Sequence, residues 1–144
     1  MICNTLDAAS GNVAAFVMPT GRIVFQWRDK DMGIMRNAST DVNSVALPHC
    51  LRLTRKSNQF TVQHSGDGVQ WEDVVDYQDP NKLTSIEIPM NETVHIGLVV
   101  SSHNSARTAE AQVSNVTFTG SVTPSGLLTL SQDISFQTLS DSDN

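Results

Sequence analysis

Between Gly21 and Arg28 the large apolar residues fall on every second position. Ile23, Phe25 and Trp27 alternate with Arg22, Val24, Gln26 and Arg28. Successive side chains of an extended strand leave on opposite faces, so this spacing predicts a half-buried strand with an aromatic inner row and a polar outer row. The same period recurs downstream: Leu51 and Leu53 alternate with Arg52 and Thr54, and Phe60, Val62 and His64 alternate with Thr61 and Gln63. Further runs rich in β-branched residues lie at 84–88, 94–100 and 112–118. Turn signals separate the runs: Pro19-Thr20-Gly21, Arg55-Lys56-Ser57-Asn58, Gly66-Asp67-Gly68, Asp79-Pro80-Asn81 and Pro89-Met90-Asn91. No stretch combines helical spacing of apolar residues with helix caps. The pattern predicts an all-β chain, an antiparallel two-sheet β-sandwich or jelly roll.

At 144 residues the chain has the length of one domain with a sizeable core. Its formal charge of −6 disfavours the basic surface that tracks nucleic-acid phosphates. No apolar run is long enough for a membrane helix, and the opening residues Met1 to Asp7 lack the basic and apolar regions of a signal peptide. Two cysteines, Cys3 and Cys50, are too few for a disulfide framework; one bridge between them and two buried thiols are the alternatives. Composition shifts at Gly120: residues 121–144 hold no Lys, Arg or His, nine Ser or Thr, and three Asp. The expected division is therefore a sandwich over 1–120 and an acidic tail over 121–144. Within the tail, 126–130 and 134–136 have the composition of short strands, and the final residues are expected to be disordered.

Few residues carry the signature of chemistry. Glu72, Asp73 and Asp76 lack the spacing of a paired-carboxylate glycosidase site, because Glu72 and Asp73 would face opposite sides of a strand. They are expected to form a solvated hairpin rim. There is no nucleophile elbow, and the four histidines (49, 64, 95 and 103) are scattered singly. Asp76, Asp79 and Asn81 offer oxygen donors of the type calcium takes, but without a full binding loop; a plain turn is the alternative. Asp67-Gly68 suits a tight hairpin that would return Trp71 to the core. Arg22, Gln26 and Arg28 share the outer row of their strand, and Arg52 on a neighbouring strand is expected to join them. Such planar hydrogen-bonding side chains suit sugar hydroxyls or carboxylates; ordinary surface arginines are the alternative. Three glycosylation sequons, at Asn37, Asn91 and Asn115, matter only in a eukaryotic secretory setting.

Several motifs follow one another in a telling order: Met1-Ile2-x-x-x-Leu6-Asp7, Gly21-x-x-x-Phe25-Gln26-Trp27-Arg28-Asp29, Leu51-Arg52-Leu53-x-Arg55, Ser65-x-Asp67-Gly68-x-x-Trp71, Ile96-Gly97-Leu98-Val99-x-Ser101-Ser102-His103-Asn104, and Asn115-Val116. Over residues 1–119 the string resembles the concanavalin A-like lectin/glucanase sandwich. It is similar in particular to small bacterial modules related to the "regulation of enolase protein" family. That resemblance implies a non-catalytic extracellular or cell-surface module of a larger protein, binding a polysaccharide or other glycan; His103 and Asn104 fall in its polar loop, where ligand contact and a purely structural role are the alternatives. It also implies several further strands ahead of the Met1-Ile2 motif, so the chain corresponds to the C-terminal two-thirds of such a module. A neighbouring domain or subunit would then cover the face those strands leave open. His49 and Cys50 depart from the pattern, replacing a small or aliphatic residue and an aromatic. A structural or protein-interaction domain without a small ligand is the competing reading; glycoside hydrolysis rests on superfamily analogy alone.

Overall fold

The computed structural model describes all residues except 30–32, 40–44, 76–80, 82–83, 103, 105, 122, 124–133 and 138–144. The chain divides into two compact units, 1–99 and 100–144. Among the described residues every regular element is a strand.

The first unit opens with β1 (Ile2–Cys3), β2 (Asn12–Val17), β3 (Ile23–Arg28) and β4 (Met35–Ser39). It continues with β5 (Cys50–Lys56), β6 (Gln59–Ser65), β7 (Glu72–Asp73), β8 (Ser85–Glu87) and β9 (His95–Ile96). Two antiparallel sheets result. One runs β4-β3-β2-β1-β9; in the other, β6 pairs with β5 along one edge and with β7 and β8 in succession along the other. The second unit holds β10 (Val116–Thr119) and β11 (Ile134–Gln137), paired in parallel.

The two-residue period places the core. Ile2, Val13, Ile23 and Phe25 from the first sheet cluster with Phe60 and Val62 from the second, together with Val74 and Ile88. Removing each of these side chains from water is worth about 1.5–3 kcal/mol. Trp27 packs against the same cluster, its ring 5.2 Å from that of Phe25. The expected inner row Ile23-Phe25-Trp27 is thus the core row of β3. Its outer row is less polar than its sequence implied: Val24 is only 6 % exposed and lies directly across from Phe16. Arg55 ties the second sheet to the following loop, donating from Nη2 to the carbonyls of Met90 and Asn91 at 3.1 and 2.8 Å.

Three expectations need correction. The apolar run 94–100 forms a strand only at His95–Ile96, extended by reciprocal backbone bonds between Gly97 and Met1. Its described ladder partner, β1, is two residues long, so Leu98 and Val99 are left 51 % and 63 % exposed. The run 112–118 becomes regular only from Val116, after Asn115 adopts a positive φ of 55°. The cysteines form no bridge: both are free, and Cys50 is exposed rather than buried because it falls in the outer row of β5. Burial raises the pKa of the partly buried Cys3 thiol. In the tail, the expected strand near 134–136 is β11, while 126–130 and the terminal residues lie outside the described set.

Candidate functional site

The register of the second sheet sorts its polar residues between two faces. Leu53 pairs with Val62 on the core side, and Arg52 pairs with Gln63, which pairs in turn with Asp73, on the outer side. Buried Val74 claims a core position. Alternation then sends Asp73 and Trp71 outward. Trp71 is accordingly half-exposed and stands outside the core cluster, contrary to the expectation that it would pack inward.

The loop leading to Trp71 is longer than a tight Asp-Gly hairpin. β6 ends at Ser65 and β7 begins at Glu72, so Gly66 to Trp71 form the connection. Its shape comes from side chains. The Asp67 carboxylate accepts from the backbone N–H groups of Val69 and Gln70, both at 2.8 Å, and from the Ser65 hydroxyl at 2.9 Å. Ser65 Oγ accepts in turn from the N–H of Gly68 at 2.8 Å. Gly68 takes a φ of +73°, a conformation glycine adopts without steric cost. These donors hold the Asp67 carboxyl below the usual carboxylate range, the Gln70 amide contributing most.

Trp71 leaves this loop with its indole N–H donated to the Gly68 carbonyl at 3.1 Å. The guanidinium carbon of Arg52 lies 3.7 Å from the ring centroid, a cation–π contact worth about 0.5–1 kcal/mol at an exposed position. Arg52 Nη1 also donates to Gln63 Oε1 at 3.3 Å, and Gln63 Nε2 donates to Asp73 Oδ1 at 2.9 Å. An aromatic ring, a guanidinium, an amide and a carboxylate thus form one held row across three strands. Chemically, such a row sets a half-exposed aromatic ring, one face of it covered by the Arg52 guanidinium, beside fixed donors and acceptors.

The other expected residues fall elsewhere. Arg22 precedes β3, and Gln26 and Arg28 lie on the outer row of the first sheet, whereas Arg52 belongs to the second. Arg52 therefore does not join them. The Arg28 guanidinium is partly committed to structure: Nη1 donates to the Ala8 carbonyl at 2.8 Å, and Nε is buried. Asn104 is exposed in a loop it organises itself, its side-chain oxygen accepting from the Ala106 N–H at 2.9 Å. His103, Asp76 and Asp79 lie outside the described residues, and Asn81 is an exposed turn residue.

Two histidines expected to stand alone meet at one end of the sandwich. His49, just before β5, brings Nε2 to 3.1 Å from Nδ1 of His64 on β6. Glu72 lies directly across the ladder from His64. Burial chiefly, and His49 next, lower the His64 pKa, while Glu72 opposes them.

The sequence held a signal for both features. Counting back from Val74 in steps of two puts Trp71 outside, and the hairpin at Ser57-Asn58 places residue 50 opposite 65, with 49 and 64 at the same end. Neither count can be made until Val74 is known to be buried and the loop of the hairpin is known to be two residues.

No protein-family model, curated protein or solved structure matches the chain. Among the described residues no helix is long and apolar enough to cross a membrane.

Proposed function

We propose that this chain is a non-catalytic carbohydrate-binding module of the concanavalin A-like type, working outside the cell or at its surface as part of a larger protein. The observation that carries the reading is the outer row Trp71, Arg52, Gln63 and Asp73. Sugars present an apolar C–H face and a rim of hydroxyls, and a half-exposed indole beside planar hydrogen-bonding groups matches both. The order of motifs along 1–119 supports the same class. The ligand surface is thus assigned to the second sheet rather than to Arg22, Gln26 and Arg28.

The test is retention of the chain on insoluble cellulose, xylan and chitin. Trp71→Ala is expected to lower affinity by about thirtyfold or more, the loss of an anchor worth about 2 kcal/mol. Arg52→Ala should weaken binding, and Arg22→Ala should leave it unchanged. Failure to bind any glycan, or binding indifferent to Trp71, overturns the reading.

A second reading, a protein-interaction domain without a small ligand, is favoured by the exposed apolar residues Ile96, Leu98 and Val99. It predicts a stable dimer or hetero-complex by sedimentation, lost in Leu98→Ser/Val99→Ser, with no response to glycans.

A further inference from the structure

His49 and His64 reach each other from separate segments, and one ring nitrogen of each faces the other. Their rings are 5.3 Å apart between centroids and inclined by 34°, so the 3.1 Å contact is made between nitrogens rather than by stacked faces. In the neutral pair, one imidazole donates its N–H and the other accepts through its lone pair. The same separation suits a second arrangement. Zinc–imidazole bonds of about 2.1 Å put two ligand nitrogens about 3.0 Å apart at a right angle and about 3.4 Å apart at the tetrahedral angle. The observed spacing lies between these values, so the two nitrogens already stand at a chelating separation, and the rings need to turn from each other toward the ion.

The surroundings fit a cation. The pair is only partly buried, which leaves water access for further coordination positions. Glu72 stands directly across from His64 on β7 and supplies a nearby negative charge. Cys50 follows His49 in sequence but pairs with Ser65 in the outer row, so its thiol belongs to the other face. Among the described residues no three His, Cys, Asp or Glu side chains form a preformed cage. The site is therefore open, with two protein donors.

We propose that His49 Nε2 and His64 Nδ1 chelate one divalent transition-metal ion of the zinc type, with water completing the coordination and Glu72 providing compensating charge. Two metal–nitrogen bonds form; the ring that had donated its N–H shifts to its other tautomer, so no net proton is released by that change. The ion would bridge the entry to β5 and the end of β6, at the opposite end of the hairpin from its Ser57-Asn58 loop. This inference is independent of the carbohydrate reading, which uses the other face of the sheet.

Zinc chloride titrated calorimetrically into the full chain at pH 7.5 tests it. The expected result is one saturable site, weakened at least about tenfold in His49→Gln and in His64→Gln and severalfold in Glu72→Gln. Cys50→Ser and Trp71→Ala should bind as the parent does. The metal-free variants are first checked for cooperative melting, and zinc should raise the melting temperature of the parent but not of either histidine variant. Absence of saturable binding up to millimolar zinc overturns the proposal, as does binding that survives loss of both histidines or depends on Cys50.

Discussion

Ser57 holds a positive φ of 57° in the loop between β5 and β6. An L-residue there bears a steric cost of about 1 kcal/mol that glycine escapes. Arg55 Nε binds the Ser57 carbonyl, a backbone group that survives substitution. Ser57→Gly is therefore expected to raise stability by up to about 1 kcal/mol, read as a higher urea midpoint at unchanged slope. Two side chains contribute to the response to acid. The folded His64 resists protonation, so in metal-free buffer stability should fall as the pH drops below about 6.5, where the unfolded chain takes up that proton, and level off below the folded pKa. Asp67 acts lower: its contribution is complete above about pH 4 and is lost as acid protonates the folded carboxylate. Urea midpoints compared between pH 8 and pH 3 should contain a portion of the decline below about pH 6.5 that His64→Gln removes and a portion below about pH 4 that Asp67→Asn removes. A single decline unaffected by either change would contradict these assignments.

At the level of elements, β6 alone in its sheet has partners on both edges, and it carries Phe60 and Val62 into the core. Its amides should be the slowest to exchange with deuterium, and those of two-residue β9 among the fastest. The same contrast explains what the sequence made legible. β3 and β6 alternate large apolar with polar residues, and that period survives folding because one face is buried. β2 was hidden: its core row Val13-Ala15-Val17 is interleaved with Ala14 and outward Phe16, which blurs the alternation. The run 94–100 misled in the opposite direction, since composition announces a strand while pairing decides its length. Trp71 departs from its sequence expectation for a related reason. A large aromatic after a turn is expected inside, but the position is set by Val74 three residues later, and three is an odd number of strand steps.

For the molecule as a whole, the core of the 1–99 unit is a single cluster built from both sheets, so the two sheets should unfold together. Phe60 is completely buried at its centre. Phe60→Ala is expected to cost about 3–5 kcal/mol, a large share of the roughly 5–15 kcal/mol that holds a typical domain. Against that, Leu6→Ala at an 80 % exposed position should change stability by no more than about 0.5 kcal/mol. This shared core holds the second sheet, whose outer face carries Trp71 and Arg52, the surface proposed above for a glycan. The most direct measurement is a nitrogen-15 spectrum of the two indole groups during titration with a soluble oligosaccharide of whichever polysaccharide retains the chain. The Trp71 signal is expected to shift in a saturable manner while the Trp27 signal stays in place. A titration that moves Trp27 and the Arg22 side of the first sheet, or moves neither indole at saturation, would contradict it.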